Sequence, residues 1–159
     1  MGEPIHKKTP PRLTHLWASY DCPLYFITFN TWQRHSCLAC ADVHRSFIDY
    51  GEKNADAGRA IGRYVIMPDH VHLFARLRAD ARLSDFMRLM KQCLGRAIPE
   101  DSRSQNPVWQ PGFFDHLMRN SESYSEKWAY VRDNPVRAGL VERVDSWPYQ
   151  GEIVRIDRV

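Results

Sequence analysis

The stretch His70-Val-His-Leu-Phe-Ala-Arg-Leu77 constrains this chain more than any other segment. Successive side chains of a β-strand point to opposite faces. Val71, Leu73, Ala75 and Leu77 fall on one face and are all apolar. His70 and His72 fall on the other, about 6–7 Å apart along the strand. The pattern is that of a strand with one face in a core and one face presenting imidazoles. Two neutral imidazoles side by side are the beginning of a divalent metal site. Two surface histidines on a half-exposed strand show the same pattern, and for a bare His-x-His that plainer reading is the commoner one.

The neighbouring segments supply partners for that strand. Leu24–Asn30 is β-branched and aromatic and reads as a strand, as does Arg63–Met67. Pro68-Asp69 breaks the latter from His70–Leu77, so a short hairpin-like connection is expected. Residues 42–58 favour helix, with Gly58 as the stop. From Leu83 to Ile98 the apolar positions Leu83, Phe86, Met87, Met90 and Leu94 recur at helical spacing. Residues 99–107 form a turn-rich loop. A fourth strand is expected between Val108 and Met118, interrupted by Pro111-Gly112. A last helix runs from about Ser121 to Asp133, stopped by Pro135. The order β-α-β-β-α-β-α begins with the split βαβ arrangement. It predicts an α+β fold: a ferredoxin-like antiparallel sheet with helices on one face and an extra C-terminal helix.

A length of 159 residues fits one domain. Residues 1–20, polar and proline-bearing, read as a flexible N-terminal arm, 21–150 as the single domain and 151–159 as a C-terminal tail. No apolar run reaches the roughly 18–20 residues of a membrane span, and MGEPIHKKTPPR lacks the apolar core of a secretory signal. A cytoplasmic protein is the expectation. The net charge of +3 is compatible with a nucleic-acid partner but too small to imply one. Cys37-x-x-Cys40 has no second pair at zinc-finger spacing, so free thiols are the better reading for it, Cys22 and Cys93.

In the last helix Tyr124, Trp128 and Val131 fall in one narrow stripe that packs on the core. Tyr130 lies off that stripe, with its hydroxyl free for solvent or ligand. Asn134 follows one turn later on the same side, either facing a site with Tyr130 or serving only as a cap before Pro135.

Several stretches carry a resemblance to a known family. Tyr64-Val-Ile-Met-Pro-Asp-His-Val-His-Leu73 resembles the HUH segment of the single-tyrosine (IS200-like) transposase superfamily. Trp109-Gln-Pro-Gly-Phe-Phe-Asp-His116 with Arg119-Asn120, then Tyr130-Val-Arg-Asp-Asn-Pro-Val-Arg-Ala-Gly-Leu-Val141 and Trp147-Pro-Tyr149, resemble the REP-associated tyrosine transposase branch. The similarity covers roughly residues 24–150. It implies a ferredoxin-like HUH nuclease fold, His70 and His72 as metal ligands, and Tyr130 as nucleophile. It implies Asn134 as a third ligand where the insertion-sequence branch has a longer glutamine, and magnesium or manganese as the ion.

The activity implied is cleavage and joining of single-stranded DNA at hairpin-forming, REP-like palindromes through a 5′-phosphotyrosine intermediate. A free tyrosine titrates near pH 10, so its attack needs assistance from the metal's field, a metal-bound water or a nearby cation, with Lys127 and Arg132 near in sequence; Asp115 and His116 are further candidates, with a plain loop role favoured for both. Arg34, Lys91, Arg119, Lys127, Arg132 and Arg137 are the expected DNA contacts. Trp109, Phe113 and Phe114 are stacking candidates, with a core role favoured for the two phenylalanines. A monomer is expected, with a dimer as the alternative. The rival readings are a catalytically inactive hairpin DNA-binding descendant, an RNA-binding module of the same fold and a structural zinc protein.

Overall fold

The computed structural model describes residues 22–118 and 121–156. Nine elements follow one another: β1 (Leu24–Asn30), α1 (Ala41–Ala55), β2 (Arg59–Ile66), β3 (His70–Leu77), α2 (Leu83–Ala97), β4 (Phe114–Met118), α3 (Ser121–Arg132), the one-turn α4 (Asn134–Arg137) and β5 (Gln150–Glu152). The strands form one sheet in the order β4-β1-β3-β2-β5, and each strand is antiparallel to its neighbours. This is the α+β, ferredoxin-like arrangement expected from the element order, with a fifth strand added at one edge.

The alternation of β3 organises the layers. Val71, Leu73, Ala75 and Leu77 are all essentially inaccessible to solvent, and α1 and α2 cover that face. Phe47 of α1 packs on Tyr64 of β2 with ring centroids 4.5 Å apart, and the Tyr50 hydroxyl donates to the Phe86 carbonyl of α2 at 2.6 Å. The opposite face carries His70, His72, Phe74 and Arg76 of β3 beside Asn30, Thr28, Phe26 and Leu24 of β1. The helix α3 crosses this second face, seated by Tyr124 on Phe74 at 4.5 Å. Tyr124 and Val131 are buried as the stripe predicts.

Three boundaries differ from the sequence reading. Strand β2 starts at Arg59 and passes through a bulge: Ile61 pairs with Ala75 and Tyr64 with Leu73, so β2 carries one extra residue. The bulge lets Ile61 and Tyr64 face the same core despite their odd spacing, and it turns Arg63 to the α3 side. A Cβ on Gly62 would lie 2.5 Å from Ile156 Cδ1, so the absence of a side chain there makes room for the C-terminal segment. Pro135 does not end the helical region. The chain breaks at Asp133 and Pro135 sits in the first turn of α4, where its missing N–H costs nothing.

The third difference is the C-terminal segment, read from the sequence as a tail beyond residue 150. Gln150–Glu152 is the edge strand β5, and Ile153, Val154 and Ile156 are fully buried. Trp147 anchors this segment by donating its indole N–H to the Ile66 carbonyl at 3.0 Å. Glu152 closes the α3 side. Its carboxylate lies 3.3 Å from Arg63 Nε, with both side chains buried, and the Arg63 guanidinium stacks over Tyr124 and Trp128. The pair fastens β5 and α3 to the same point of β2. Removing one partner of a buried pair costs about 3–5 kcal/mol, so Glu152→Ala is expected to lose stability of that order in urea unfolding; a change below about 1 kcal/mol would show that the pair is dispensable.

Candidate metal and nucleic-acid site

His70 and His72 stand on the α3 face of β3 with ring centroids 4.7 Å apart and planes nearly perpendicular. Each ring has its Nδ1 engaged. His70 Nδ1 lies 2.7 Å from Asp69 Oδ1, and His72 Nδ1 lies 2.7 Å from Thr28 Oγ1, the residue opposite it on β1. A carboxylate oxygen only accepts, so His70 donates through Nδ1–H, which leaves Nε2 as its free lone pair. His72 adopts the same tautomer when the threonine oxygen accepts. Phe26 stacks on His72 at 5.6 Å and restrains that ring.

Electrostatics keep both rings neutral. Burial lowers the His72 pKa to about 3, assisted by the neighbouring His70 and by the positive charges of Lys127, Arg34 and Arg137. Burial also lowers the pKa of His70, with Asp69 opposing it. Burial pushes the Asp69 carboxyl up, but hydrogen bonds from Arg34 and His70 outweigh that and hold it below the usual range. Neutral imidazoles need shed no proton to bind a cation. Two such nitrogens fit a divalent ion with open positions left for oxygen ligands.

The loop after β1 brings Arg34 to the His70 end of the site. Gln33 and Arg34 both have left-handed backbone, at φ 49° and 57°, a conformation that costs about 1–2 kcal/mol per non-glycine residue. Surrounding bonds hold it: Thr31 N–H donates to Asp69 O, Trp32 N–H to Val108 O, and Cys37 and Leu38 N–H to Pro68 O. Arg34 Nε then donates to Asp69 Oδ2 at 2.8 Å.

From the other side come α3 and α4. Tyr130 is 64% exposed, so its hydroxyl is available to a ligand. The Arg137 guanidinium lies over the Tyr130 ring at 4.2 Å and donates to Asn134 Oδ1. Lys127 Nζ lies 5.0 Å from the Phe26 ring. Tyr130, Lys127, Glu126, Ser123, His116 and Met118 line an open groove of about 380 Å³ between β4 and α3.

The remaining candidates lie elsewhere. Lys91 donates to the Gln110 and Gly112 carbonyls, so its ammonium ties α2 to the loop before β4. Arg132 reaches Asp145 at 3.4 Å. Trp109 packs on Phe29 and donates to the Lys91 carbonyl, which anchors it on the α2 side. Phe114, given a core role above, is 59% exposed and stands on the site face opposite Thr28. The four cysteines are free thiols. Arg119 and the residues 1–20 arm lie outside the described residues. Asp69 and Thr28 were not singled out from the sequence; a carboxylate directly before a His-x-His pair was the available signal for Asp69, whereas Thr28 is brought in only by pairing across strands.

A ferredoxin-like sheet with a histidine pair on one face, crossed by a helix bearing an exposed tyrosine, defines the single-tyrosine HUH class. The chain belongs to the IS200-like transposase family, whose model matches residues 20–134. It is 28% identical over 126 residues to a REP-associated tyrosine transposase of Escherichia coli, covering 79% of this chain and 73% of that protein. It is 32% identical over 94 residues to a protein of Haemophilus influenzae named as a candidate REP-associated tyrosine transposase; that match spans 53% of each. A REP-associated tyrosine transposase solved bound to a REP hairpin superposes with a TM-score of 0.66 at 27% identity, over 80% of this chain and 75% of that one. Among the described residues no helix is long and apolar enough to cross a membrane.

The depressed His72 pKa has a consequence for the metal-free protein. An unfolded histidine takes up a proton as pH falls below about 6.5, whereas folded His72 refuses it until about 3. Stability is therefore complete above that window and declines as pH falls through it. The His72 ring resonances are expected not to titrate between pH 7 and 5 by NMR, and His72→Gln to flatten the fall in urea midpoint over the same range; an ordinary titration near 6.5 would contradict the buried, neutral ring.

Proposed function

We propose that the chain is a metal-dependent nuclease and strand transferase acting on single-stranded DNA at hairpin-forming, REP-like palindromes. The observation that carries this reading is the pair of neutral imidazoles, each held at Nδ1, on the sheet face crossed by the helix of Tyr130. His70 and His72 would hold a magnesium or manganese ion. Asn134 would be the third ligand, through the amide oxygen that also accepts from Arg137. The ion, once bound, polarises a non-bridging oxygen of one phosphodiester.

The chain's own residues do the rest. Tyr130 Oη attacks phosphorus as the P–O3′ bond breaks, leaving a 5′-phosphotyrosine and a 3′-OH. The phenolic proton passes to solvent, and the departing 3′ oxygen takes one from it. The phosphotyrosine keeps the ester activated, so a second 3′-OH can displace Tyr130 and join a new strand. Arg34, Lys127 and Arg137 surround the histidines with positive charge and would hold DNA phosphates. Arg119 is carried as a phosphate contact by the family resemblance alone; Arg132 and Lys91 would contribute only if DNA displaced their present partners. The exposed Phe114 offers an unpaired base a stacking surface. Because α3 packs on its own sheet through Tyr124, one chain carries the histidines and the tyrosine together, which favours action as a monomer.

The test uses end-labelled oligonucleotides bearing hairpin palindromes from the source genome, with manganese, magnesium or EDTA. Metal-dependent cleavage with a covalent protein–DNA adduct is expected, and Tyr130→Phe is expected to lose both. Binding without cleavage in any metal would instead establish a DNA-binding descendant. A second expectation concerns Asp69. Losing a carboxylate that orients a metal-binding histidine typically weakens affinity about 10–100-fold. Asp69→Ala should therefore shift the manganese concentration for half-maximal cleavage upward by that factor, and an unshifted midpoint would remove Asp69 from the site.

A further inference from the structure

We infer that Arg34 is a catalytic residue that grips a non-bridging oxygen of the scissile phosphodiester from the His70 end of the site. This rests on the reading of His70, His72 and Tyr130 as a phosphodiester-cleaving centre.

Two groups compete for one ring nitrogen of His70. Arg34 NH2 lies 3.2 Å from His70 Nδ1, and Asp69 Oδ1 lies 2.7 Å from the same nitrogen. One ring nitrogen cannot accept from a guanidinium and donate to a carboxylate at once. With Nε2 presented to a cation, Nδ1 carries the proton and donates to Asp69. The Arg34 NH2 contact is then only a close approach, and that group keeps its donors for another acceptor. Nε is already committed to Asp69 Oδ2 at 2.8 Å. The unspent donors are therefore on the two terminal nitrogens, in the planar fork that suits a phosphate.

The guanidinium is also placed in advance. Its side chain is 56% exposed and so open to a ligand, yet Nε is fixed by Asp69. The loop that carries it is bonded to the Pro68-Asp69 turn and to Val108. Its left-handed backbone at Gln33 and Arg34 is retained although neither is glycine. Lys127 and Arg137 exert their charge on His72 from α3 and α4, while Arg34 contacts His70 from the opposite end. A phosphodiester set on the imidazole pair would thus meet a cation at each end. A fork fixed before substrate arrives is the arrangement that stabilises charge growing on the non-bridging oxygens as the Tyr130–phosphorus bond forms.

Two measurements test this on the full chain. In single-turnover cleavage with manganese, Arg34→Ala is expected to slow the chemical step by about 100-fold, and Arg34→Lys to recover little, because an ammonium lacks the fork. In EDTA, the wild type should bind a hairpin oligonucleotide about tenfold more weakly when the scissile phosphate is replaced by a neutral methylphosphonate. Arg34→Ala should bind the two oligonucleotides alike. An Arg34→Ala rate within about threefold of wild type, or the same methylphosphonate penalty in both proteins, would overturn the assignment. If the wild type forms no adduct in any metal, the parent reading fails, and the metal-free comparison still decides whether Arg34 holds that phosphate.

Discussion

Everything in this molecule is referred to the antiparallel pairing of β3 between β1 and β2. Pairing on both sides leaves β3 no freedom to rotate, so its period of two is converted into two chemically different faces. One face is the floor of the core under α1 and α2. The other brings Thr28 opposite His72 and Asn30 opposite His70. A slip of one residue would bury the imidazoles under α1 and α2 and expose Val71 and Leu73, so the burial of the core and the presentation of the histidines are one constraint.

The second face is partly covered by a helix and cationic. The helix α3 rests on it through Tyr124, and Arg63 beneath that helix is neutralised by Glu152 of β5. Lys127, Arg137 and Arg34 are left around the histidines, and Asp69 is the acidic group that contacts His70. Such a surface disfavours protons on the imidazoles and attracts polyanions. Burial is the larger cause of the neutral histidines, and the basic rim, present without an overall charge beyond +3, adds to it.

The parts that were legible in the sequence are those encoded by local periodicity. The strand alternation of β3, the helical spacing of α2 and the Tyr124–Trp128–Val131 stripe each repeat within a few residues, and each element formed where the pattern put it. The C-terminal segment was not legible. Gln150–Glu152 is too short for any period to register, and Ile153, Val154 and Ile156 show no alternation that distinguishes a buried edge from a tail. Arg63 and Glu152 likewise look like ordinary surface charges until the bulge in β2 turns Arg63 under α3.

The sequence by itself determined the order of elements, the two-faced central strand, the residues of the histidine pair and a tyrosine set off the buried stripe of its helix. These follow from stereochemistry within single elements, where neighbours along the chain are neighbours in space. The tertiary structure alone decided that α3 lies over the histidine face, that Thr28 meets the His72 ring, that Arg34 arrives from a loop and that Lys91 and Trp109 belong to the α2 side. Those assignments depend on contacts between residues 18 or more positions apart. Local periodicity carries no information about them, because long-range packing chooses among arrangements that leave every local pattern equally satisfied.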